Sequence, residues 1–434
     1  MKNYRFLIPV LIILAYVGSI FYLHSTREKK EIQYNEYIEI ARENRRNDIP
    51  AVADENYLLA LNMKESLELR IEIGEFYYEI NDNKKAVDWG YQLLDKYSKN
   101  AKAYEYMEDL LIKTEDYFAF YTVYDKMVRK KVKSDAVETL RKKVEYKYYF
   151  AGAEYTSVGC FGDGLCPVKG EIKWGFVDEK DNKVIGIKYP YVGSFINGLA
   201  PVVDDEGKAY YIDKTGNKKK IVENMKNIEL LGSLEGNKLT LYDGKDWGIY
   251  TDKGEKIISG FENMSSAING YVAAQKNLRW QIYDLEGKLI SEEKYNDVKQ
   301  DEKGVIYRND RMFVKIADDY YMIDNKGIKV SETKYESADV FRIGDLAAVK
   351  LNDKWGFVNN NGEMIIEPKY DEARSFNNGY AAVKIEGKWG FIDTEGNMVI
   401  QPAFDEVKDF TTMETAFVRI YDDWSMILLY RSNH

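Results

Sequence analysis

A short phrase that recurs through the second half of the chain constrains the fold more than any other feature of the sequence. It reads KWGFVD from Lys173, DWGIYT from Asp246, KWGFVN from Lys354 and KWGFID from Lys388. Recurrence at a near-constant interval is typical of repeat architectures, in which each unit buries its apolar face against its neighbours. We therefore expect the region from residue 147 onward to form one array of similar units.

The units align on an anchor position that is Trp in most copies. Successive anchors lie 33 to 40 residues apart. They are Trp174, Ala209, Trp247, Trp280, Tyr320, Trp355, Trp389 and Trp424. A second register agrees with the first, because an aromatic residue repeatedly precedes a glycine by nine positions. Its pairs are Tyr155/Gly164, Tyr189/Gly198, Phe261/Gly270, Tyr295/Gly304, Tyr335/Gly344 and Tyr370/Gly379. The sequence thus predicts about eight units.

Each unit is predicted to be a three-stranded antiparallel meander. In residues 381–402, turn-forming residues at Glu386-Gly387 and Thr394-Glu395-Gly396 separate three runs of alternating apolar and polar residues. The second turn carries an Asp in several copies, which we expect to accept a local backbone hydrogen bond. A calcium role for this Asp is disfavoured, since no clustered acidic loop surrounds it. The residues concerned are Asp284, Asp324 and Asp393.

The repeated Trp and the Gly that follows it are predicted to be structural anchors. Burial of one indole ring, ~200 Å² at ~25 cal/mol/Å², contributes about 5 kcal/mol before entropy is counted. A glycine within a strand lets another backbone approach closely. The predicted anchors are Trp174, Gly175, Trp247, Gly248, Trp280, Trp355, Gly356, Trp389, Gly390 and Trp424.

These phrases, with IIEPKYD from Ile365 and FNNGYAAV from Phe376, closely resemble the WG-containing (KWG) repeat family of bacteria. The resemblance covers roughly residues 147–430. It implies a β-repeat protein of a generally uncharacterised family, often attached to other domains, and it brings no catalytic residue. The dipeptide is lost in three units, which could be structurally looser or could carry binding. Those units hold Ala209-Tyr210, Tyr320-Tyr321 and Trp424-Ser425.

The array begins and ends within a unit, and this bears on whether it closes. The last unit stops after its second strand, near Trp424, whereas residues 147–155 occupy a third-strand position at the other end. Pairing of the two ends would close a propeller-like ring. An open β-superhelix, capped by the leading strand, is the alternative. We favour the closed ring.

Residues 31–146 are predicted to be helical, with apolar residues at helical spacing and one proline, Pro50. A 34-residue offset superposes Ile73 on Met107 and Ala86 on Phe120, which resembles tetratricopeptide repeats. The match is partial, because Gly74 falls opposite Glu108. A generic stack of helical hairpins is the alternative reading.

Residues Phe6 to Leu23 contain no ionisable group and are long enough, at 1.5 Å per residue, to span a bilayer. We expect residues 1–30 to be a transmembrane signal-anchor. A cleavable signal peptide is the alternative, with Lys2 and Arg5 as its charged start. The prediction is a single-pass cell membrane protein whose bulk is extracytoplasmic.

The predicted fold class is therefore α+β and multidomain, with a signal-anchor over residues 1–30, a tetratricopeptide-like segment over 31–146 and the β-repeat domain over 147–434. A net charge of −10 opposes nucleic-acid binding. The two histidines, His24 and His434, lie near the ends of the chain, so histidine-dependent catalysis is disfavoured. Cys160 and Cys166 cannot form a four-ligand zinc site, although they could bridge one short loop.

The predicted function is a membrane-anchored, non-enzymatic scaffold that binds a protein or an envelope component, with no cofactor and no metal. Repeat arrays build broad recognition surfaces, which favours this reading. Carbohydrate or cell-wall binding through exposed Tyr and Trp is the alternative. A glycoside hydrolase, which needs two opposed carboxylates, comes third.

Overall fold

The computed structural model describes residues 7–219 and 228–430, with side chains from residue 27 onward. The chain divides into two compact units. One contains the helices as far as Lys147 together with Tyr430, and the other is Tyr148–Leu429.

The first unit is helical throughout its described residues. Its helices are α1 (Leu7–Arg46), α2 (Pro50–Met63), α3 (Leu67–Glu79), α4 (Asn83–Lys96), α5 (Ala101–Lys113), α6 (Tyr117–Arg129) and α7 (Asp135–Val144). Side chains of Ser66, Asp82, Asp116 and Ser134 each accept the backbone N–H three positions on, which satisfies amides that the first turn of a helix leaves unpaired.

Helices in this unit recur at the interval that the sequence indicated. α3, α5 and α7 begin at residues 67, 101 and 135, and α4 and α6 begin at 83 and 117, so each interval is 34 residues. Ile73 and Met107 are fully buried, as are Ala86 and Phe120. The tetratricopeptide-like assignment itself stays a prediction.

The prediction of a transmembrane signal-anchor is wrong. Phe6 lies outside the described residues, and the rest of the apolar segment belongs to the 40-residue helix α1. Within residues 7–219 and 228–430, no helix is long and apolar enough to cross a membrane. The apolar run is not a separate element, because α1 continues unbroken through many charged residues, and Ile38 and Ala41 are buried in the helical core. The predicted location as a single-pass membrane protein depended on this anchor and is therefore wrong as well.

The second unit is an eight-bladed β-propeller. Among the described residues, each blade is one antiparallel sheet. Blades 1 to 4 contain β2 (Ser157–Val158), β3 (Leu165–Lys169), β4 (Trp174–Asp178) and β5 (Lys183–Tyr189); β6 (Tyr191–Val192), β7 (Leu199–Val203), β8 (Ala209–Asp213) and β9 (Lys218–Lys219); β10 (Leu230–Glu235), β11 (Lys238–Tyr242), β12 (Trp247–Thr251) and β13 (Lys256–Phe261); and β14 (Asn263–Met264), β15 (Tyr271–Lys276) and β16 (Arg279–Asp284).

Blades 5 to 8 follow in chain order. They contain β17 (Asp297–Val298), β18 (Met312–Ile316) and β19 (Asp319–Ile323); β20 (Ser337–Ala338), β21 (Ala347–Leu351), β22 (Lys354–Val358) and β23 (Met364–Tyr370); β24 (Glu372–Ala373), β25 (Ala381–Ile385), β26 (Lys388–Ile392) and β27 (Met398–Phe404); and β28 (Glu406–Val407), β29 (Thr415–Ile420), β30 (Asp423–Leu429) and β1 (Tyr148–Tyr155).

The prediction of three-stranded units is wrong by one strand. Six blades are four-stranded sheets among the described residues, because a short strand precedes the predicted meander. Blades 4 and 5 have the short strand too, and isolated bridges such as Trp280–Tyr295 and Tyr320–Tyr335 mark the place of their last strand. In seven of the blades this first strand is two residues long, which is too short to produce an alternating pattern in the sequence.

The ring closes through its two ends, as predicted. β1 pairs antiparallel with β30, placing Tyr148 opposite Leu429 and Tyr155 opposite Trp424. The strand order in blade 8 is β1-β30-β29-β28, so the first strand of the array completes the last blade. Closure of this kind pairs the two terminal strands with each other.

Blades pack on one another through phenylalanines that the repeat supplies. The Phe two positions after the anchor Trp meets a Phe on the first hairpin of the next blade, edge to face. Ring centroids lie 4.8 Å apart for Phe176 and Phe195, and 4.7 Å apart for Phe391 and Phe410. All four rings are buried. Such pairs contribute beyond the area that they bury.

Candidate functional site

The predicted Trp and Gly anchors are distributed over six of the eight blades and are not gathered into a site. Counted from the first strand of its blade, which is β28 in blade 8, each Trp is on the third strand. Trp280 and Trp424 are buried, whereas the Trp residues that precede a glycine are half-buried. Those are Trp174, Trp247, Trp355 and Trp389. Their role as structural anchors stays a prediction.

The glycine after each of these Trp residues faces a neighbouring backbone. A Cβ added to Gly175 would lie 2.6 Å from the carbonyl oxygen of Ile185, and one on Gly390 would lie 2.5 Å from that of Ile400. The close approach coincides with an irregular register between the two strands. Gly248 and Gly356 are in the same position in blades 3 and 6. No larger residue fits there without movement of the backbone.

The Asp of the second turn accepts backbone hydrogen bonds, as predicted. The Oδ1 atom of Asp393 accepts the N–H groups of Glu395 and Asn397 at 3.1 and 2.8 Å. Asp284 and Asp324 make the same pair of bonds in blades 4 and 5. These carboxylates therefore hold their own turns.

The first hairpin of a blade joins its short first strand to the second strand, and five of these hairpins share one turn. The two central residues both have positive φ, for example 56° at Asn269 and 85° at Gly270. Asn, Asp and Gly adopt this conformation most readily, and such two-residue turns match the twist of paired strands. The turn residues are Asp163-Gly164, Asn197-Gly198, Asn269-Gly270, Asn309-Asp310 and Asn378-Gly379.

The Asn of the turn also fastens its blade to the next one. The Asn269 amide donates to the carbonyl oxygen of Tyr307 at 2.7 Å, and the Asn309 amide donates to that of Gly344 at 2.8 Å. Asn197 and Asn378 bond to the following blade in the same way. The hairpins are therefore fixed relative to one another, which suits a surface that must keep its shape on binding.

These hairpins converge on a cavity at one end of the ring axis. Its volume is about 400 Å³, within the usual range of ligand sites. Loops from seven of the eight blades contribute described residues to its wall. None of the predicted Trp and Gly anchors is among the residues that line it.

The family comparison agrees with the blade structure. The family described as WG containing repeat matches residues 174–208, 322–355, 355–389 and 389–424, each match running from blade to blade. This chain is a WG-repeat protein. No curated protein matches it.

Several solved structures resemble the WG-repeat protein weakly. BamB from Moraxella catarrhalis is 12% identical with a TM-score of 0.39, covering 66% of this chain and 95% of that one. Hsv2p from Kluyveromyces lactis is 10% identical with a TM-score of 0.36, covering 56% and 93%. The Pan2 WD40 domain of Neurospora crassa is 9% identical with a TM-score of 0.32, covering 64% and 89%.

An insertion in blade 5 of the WG-repeat protein contributes Asp301, Lys303 and Val305 to the cavity wall. Thirteen residues separate β17 from β18, against six between β14 and β15 in blade 4. The insertion contains Gly304, where an added Cβ would lie 2.8 Å from the backbone nitrogen of Ser266 in blade 4. The Tyr295/Gly304 pair in the sequence register was therefore misaligned, since the turn of blade 5 is Asn309-Asp310. An aromatic residue nine positions before a glycine occurs here in the insertion, so this spacing alone does not distinguish a turn in the insertion from the first hairpin of the blade.

Buried ion pairs beside the cavity connect four blades. Arg342 lies 2.7 Å from Asp409 and 3.1 Å from Asp339, and Arg374 lies 2.8 Å from Asp409 and 2.6 Å from Glu302. Burial opposes ionisation of Asp409, but Arg342 and Arg374 hold the pKa of its carboxyl below the ordinary value. Two guanidiniums face three carboxylates here, so the network fixes the loops and leaves no positive charge over for a ligand.

Other charged groups on the cavity wall are less fully paired. The Nζ of Lys303, on the insertion, donates to the carbonyl oxygen of Phe161 in blade 1 at 3.3 Å. Arg308 and Lys408 line the cavity as well. Within the described part of the chain the buried Nε of Arg308 has no hydrogen-bond partner, whereas the Nζ of Lys408 lies over the Trp424 ring, 5.5 Å from its centre. Donors without acceptors are what an anionic ligand would meet.

Both cysteines are free thiols in the structure. Cys160 lines the cavity, and burial raises the pKa of its thiol to about 12. Burial also raises the pKa of Cys166. Thiols that stay protonated are poor nucleophiles, so neither is poised for reaction.

Proposed function

We propose that this WG-repeat protein is a non-catalytic interaction scaffold, and that its ring binds another protein at the face that carries the axial cavity. The observation that supports this most is variation at one position of a constant hairpin. Five hairpins share the same turn, yet the residue just before the turn changes in character around the ring, being Gly in one blade, Ile in two, Arg in one and Asn in one. Those residues are Gly162, Ile196, Ile268, Arg308 and Asn377, and all of them line the cavity.

Variation at this position is unlike the rest of the hairpin. In four of the five hairpins the residue before it is aromatic, and in four of them the residue after it is an Asn that fastens the blade to its neighbour. A residue that served ring assembly alone could be the same in every blade. A concave wall with apolar, cationic and amide groups has the chemical mixture of recognition surfaces.

The rim of the cavity also exposes apolar surface. Ile343, in the corresponding loop of blade 6, is 54% exposed, and Met413 in blade 8 is 49% exposed. Exposed apolar groups around a pocket are typical of protein-binding faces. The ion pairs and amide bonds beneath them keep the face in one shape, so binding would cost little ordering entropy.

A site-specific crosslinking experiment tests the proposal. A photoreactive residue at Ile343 reports on the cavity face, and one at Ile172 reports on the turn between β3 and β4, at the opposite end of the strands. Both positions are exposed, at 54% and 76%. We expect a discrete crosslinked species from position 343 in cells and none from position 172. Equal crosslinking at both positions, or crosslinking at 172 alone, would contradict the proposed face.

A further inference from the structure

Arg308 is held in place from both sides of its hairpin. It directly precedes the turn Asn309-Asp310, and its backbone pairs with Arg311. The carbonyl oxygen of the preceding Tyr307 accepts the Asn269 amide, and the Asn309 amide donates to Gly344. Adjacent blades therefore fix the backbone on each side of the guanidinium, as a pre-organised binding group requires.

The guanidinium of Arg308 lacks an acceptor although it is partly withdrawn from solvent. Its Nε atom is buried and has no hydrogen-bond partner among the described residues. A buried donor without an acceptor is unfavourable, so the free protein retains a destabilising group at the cavity wall. An oxyanion entering the cavity would relieve this cost.

Carboxylates on the same wall are already engaged. The Oδ1 atom of Asp301 accepts the N–H groups of Lys303 and Val305 at 2.8 and 2.9 Å, and Asp163 accepts the N–H of Gly198 at 2.6 Å. Burial raises the pKa of both Glu179 and Asp301. Asp301 also attracts the Arg308 guanidinium. The Lys408 Nζ lies over the Trp424 ring, so among the described residues of this wall the unused donor is the Nε atom of Arg308.

We propose that the axial cavity binds a singly charged carboxylate group, with the Arg308 guanidinium as its principal partner. The inference rests on the proposed function, since it assigns a chemical group to the face that binds. A guanidinium matches a carboxylate with two parallel hydrogen bonds. Phosphate carries close to two charges, and Asp301 and Asp163 on the wall disfavour that added charge.

The insertion in blade 5 limits how the carboxylate arrives. Residues Gln300, Glu302, Lys303 and Gly304 also border a second cavity of about 180 Å³, and Asp301, Lys303 and Val305 line the first. The insertion thus lies between the two cavities. We expect the carboxylate, whether of a small molecule, an acidic side chain or a chain end, to enter the first cavity without passing the insertion.

Calorimetric titration of the full chain tests the carboxylate assignment. Sodium acetate is the probe, with sodium phosphate and sodium chloride at matched ionic strength. We expect saturable binding of acetate, weakened at least about 10-fold in Arg308→Gln, because one charge-assisted pair is lost. Arg308→Lys, which keeps the charge but loses the fork, should fall between them. Arg311→Gln is the matched control, since Arg311 is on the same hairpin and does not line the cavity.

Two further arms distinguish the source of the carboxylate. A triglycine peptide with a free carboxyl end binds more tightly than acetate if the site takes a chain end, and its amidated form then loses binding. Equal binding of acetate and peptide indicates a small free carboxylate, and both results support the assignment. No saturable acetate or peptide binding, tighter binding of phosphate, or an unchanged Arg308→Gln variant would overturn it. Crosslinking from Ile343 is independent of this result, so the two proposals can fail separately.

Discussion

Single residues in this protein are constrained most where one backbone meets another. Gly175 is in ordinary strand conformation, yet a Cβ there would lie within 2.8 Å of backbone atoms of Ile185, Gly186 and Ile187. The half-buried Trp174 beside it is at the edge of the blade core. In the WG dipeptide, the packing constraint on the glycine is therefore tighter than that on the Trp.

The residue-scale prediction compares two glycines of blade 1. Gly175→Ala should lower the free energy of unfolding by about 1–3 kcal/mol, because the β5 backbone must move. Gly186→Ala is the matched control, since its added Cβ meets no atom within 4 Å. The control should be neutral or slightly stabilising, as alanine orders a strand at less cost than glycine. Chemical denaturation of both variants decides the matter, and equal effects would remove the packing explanation.

Among elements, the first hairpin has two functions that a single Asn supports. The Asn adopts positive φ, which forms the turn, and its amide reaches the carbonyl oxygen of the following blade. Asn352 isolates the first function, because it has φ of 51° in a turn between β21 and β22 and is exposed. Within the described residues, its side chain makes no bond to another blade.

The element-scale prediction uses this difference. In Asn269→Gly the backbone can still adopt the positive φ of the turn, but the 2.7 Å hydrogen bond to the carbonyl oxygen of Tyr307 is lost. The free energy of unfolding should therefore fall by about 1 kcal/mol. Asn352→Gly changes the same residue type at the same φ and should have a much smaller effect. Thermal unfolding of the two variants measures the difference. If both lower the melting temperature equally, the bond between blades contributes nothing.

At the scale of the whole molecule, the pairing of β1 with β30 decides the architecture. Residues some 270 positions apart in the chain are direct neighbours there, as Glu154 and Ser425 are. Long-range pairing of this kind carries a large loop-closure entropy, which the packed blades must offset. The last blade thus depends on the first strand of the array.

The corresponding prediction is a disulfide across the closure. In Glu154→Cys/Ser425→Cys the cysteines occupy paired positions, and oxidation should link them and raise the melting temperature, since it closes a loop of roughly 270 residues. Reduction should reverse the shift. Glu154→Cys/Glu372→Cys, with its second cysteine in blade 7, should stay reduced. Mobility on non-reducing gels reports the link, and its absence from the first pair would mean that the ring is open there.

Local spacing in the sequence was sufficient for the repeat and its turns. The phrase at Lys354 and Lys388 indicated the blades, and the Asp of the second turn was correctly expected to bond its own backbone. These features depend on residues a few positions apart, whose geometry the chain itself imposes. The ends of the array also indicated closure, because a missing strand and a spare strand are both visible in the register.

Only the tertiary structure shows the features that are formed by residues distant from one another in the chain. The apolar run near the amino terminus gave the pattern of a membrane span, and only the folded chain shows it inside the longer helix α1. The cavity brings Lys303 to the carbonyl oxygen of Phe161, 142 residues away, and the insertion that does so was mistaken for a regular hairpin. Sequence periodicity indicates which residues share a face of one strand or helix. Which residues line the axial cavity depends on how the eight blades close around the axis.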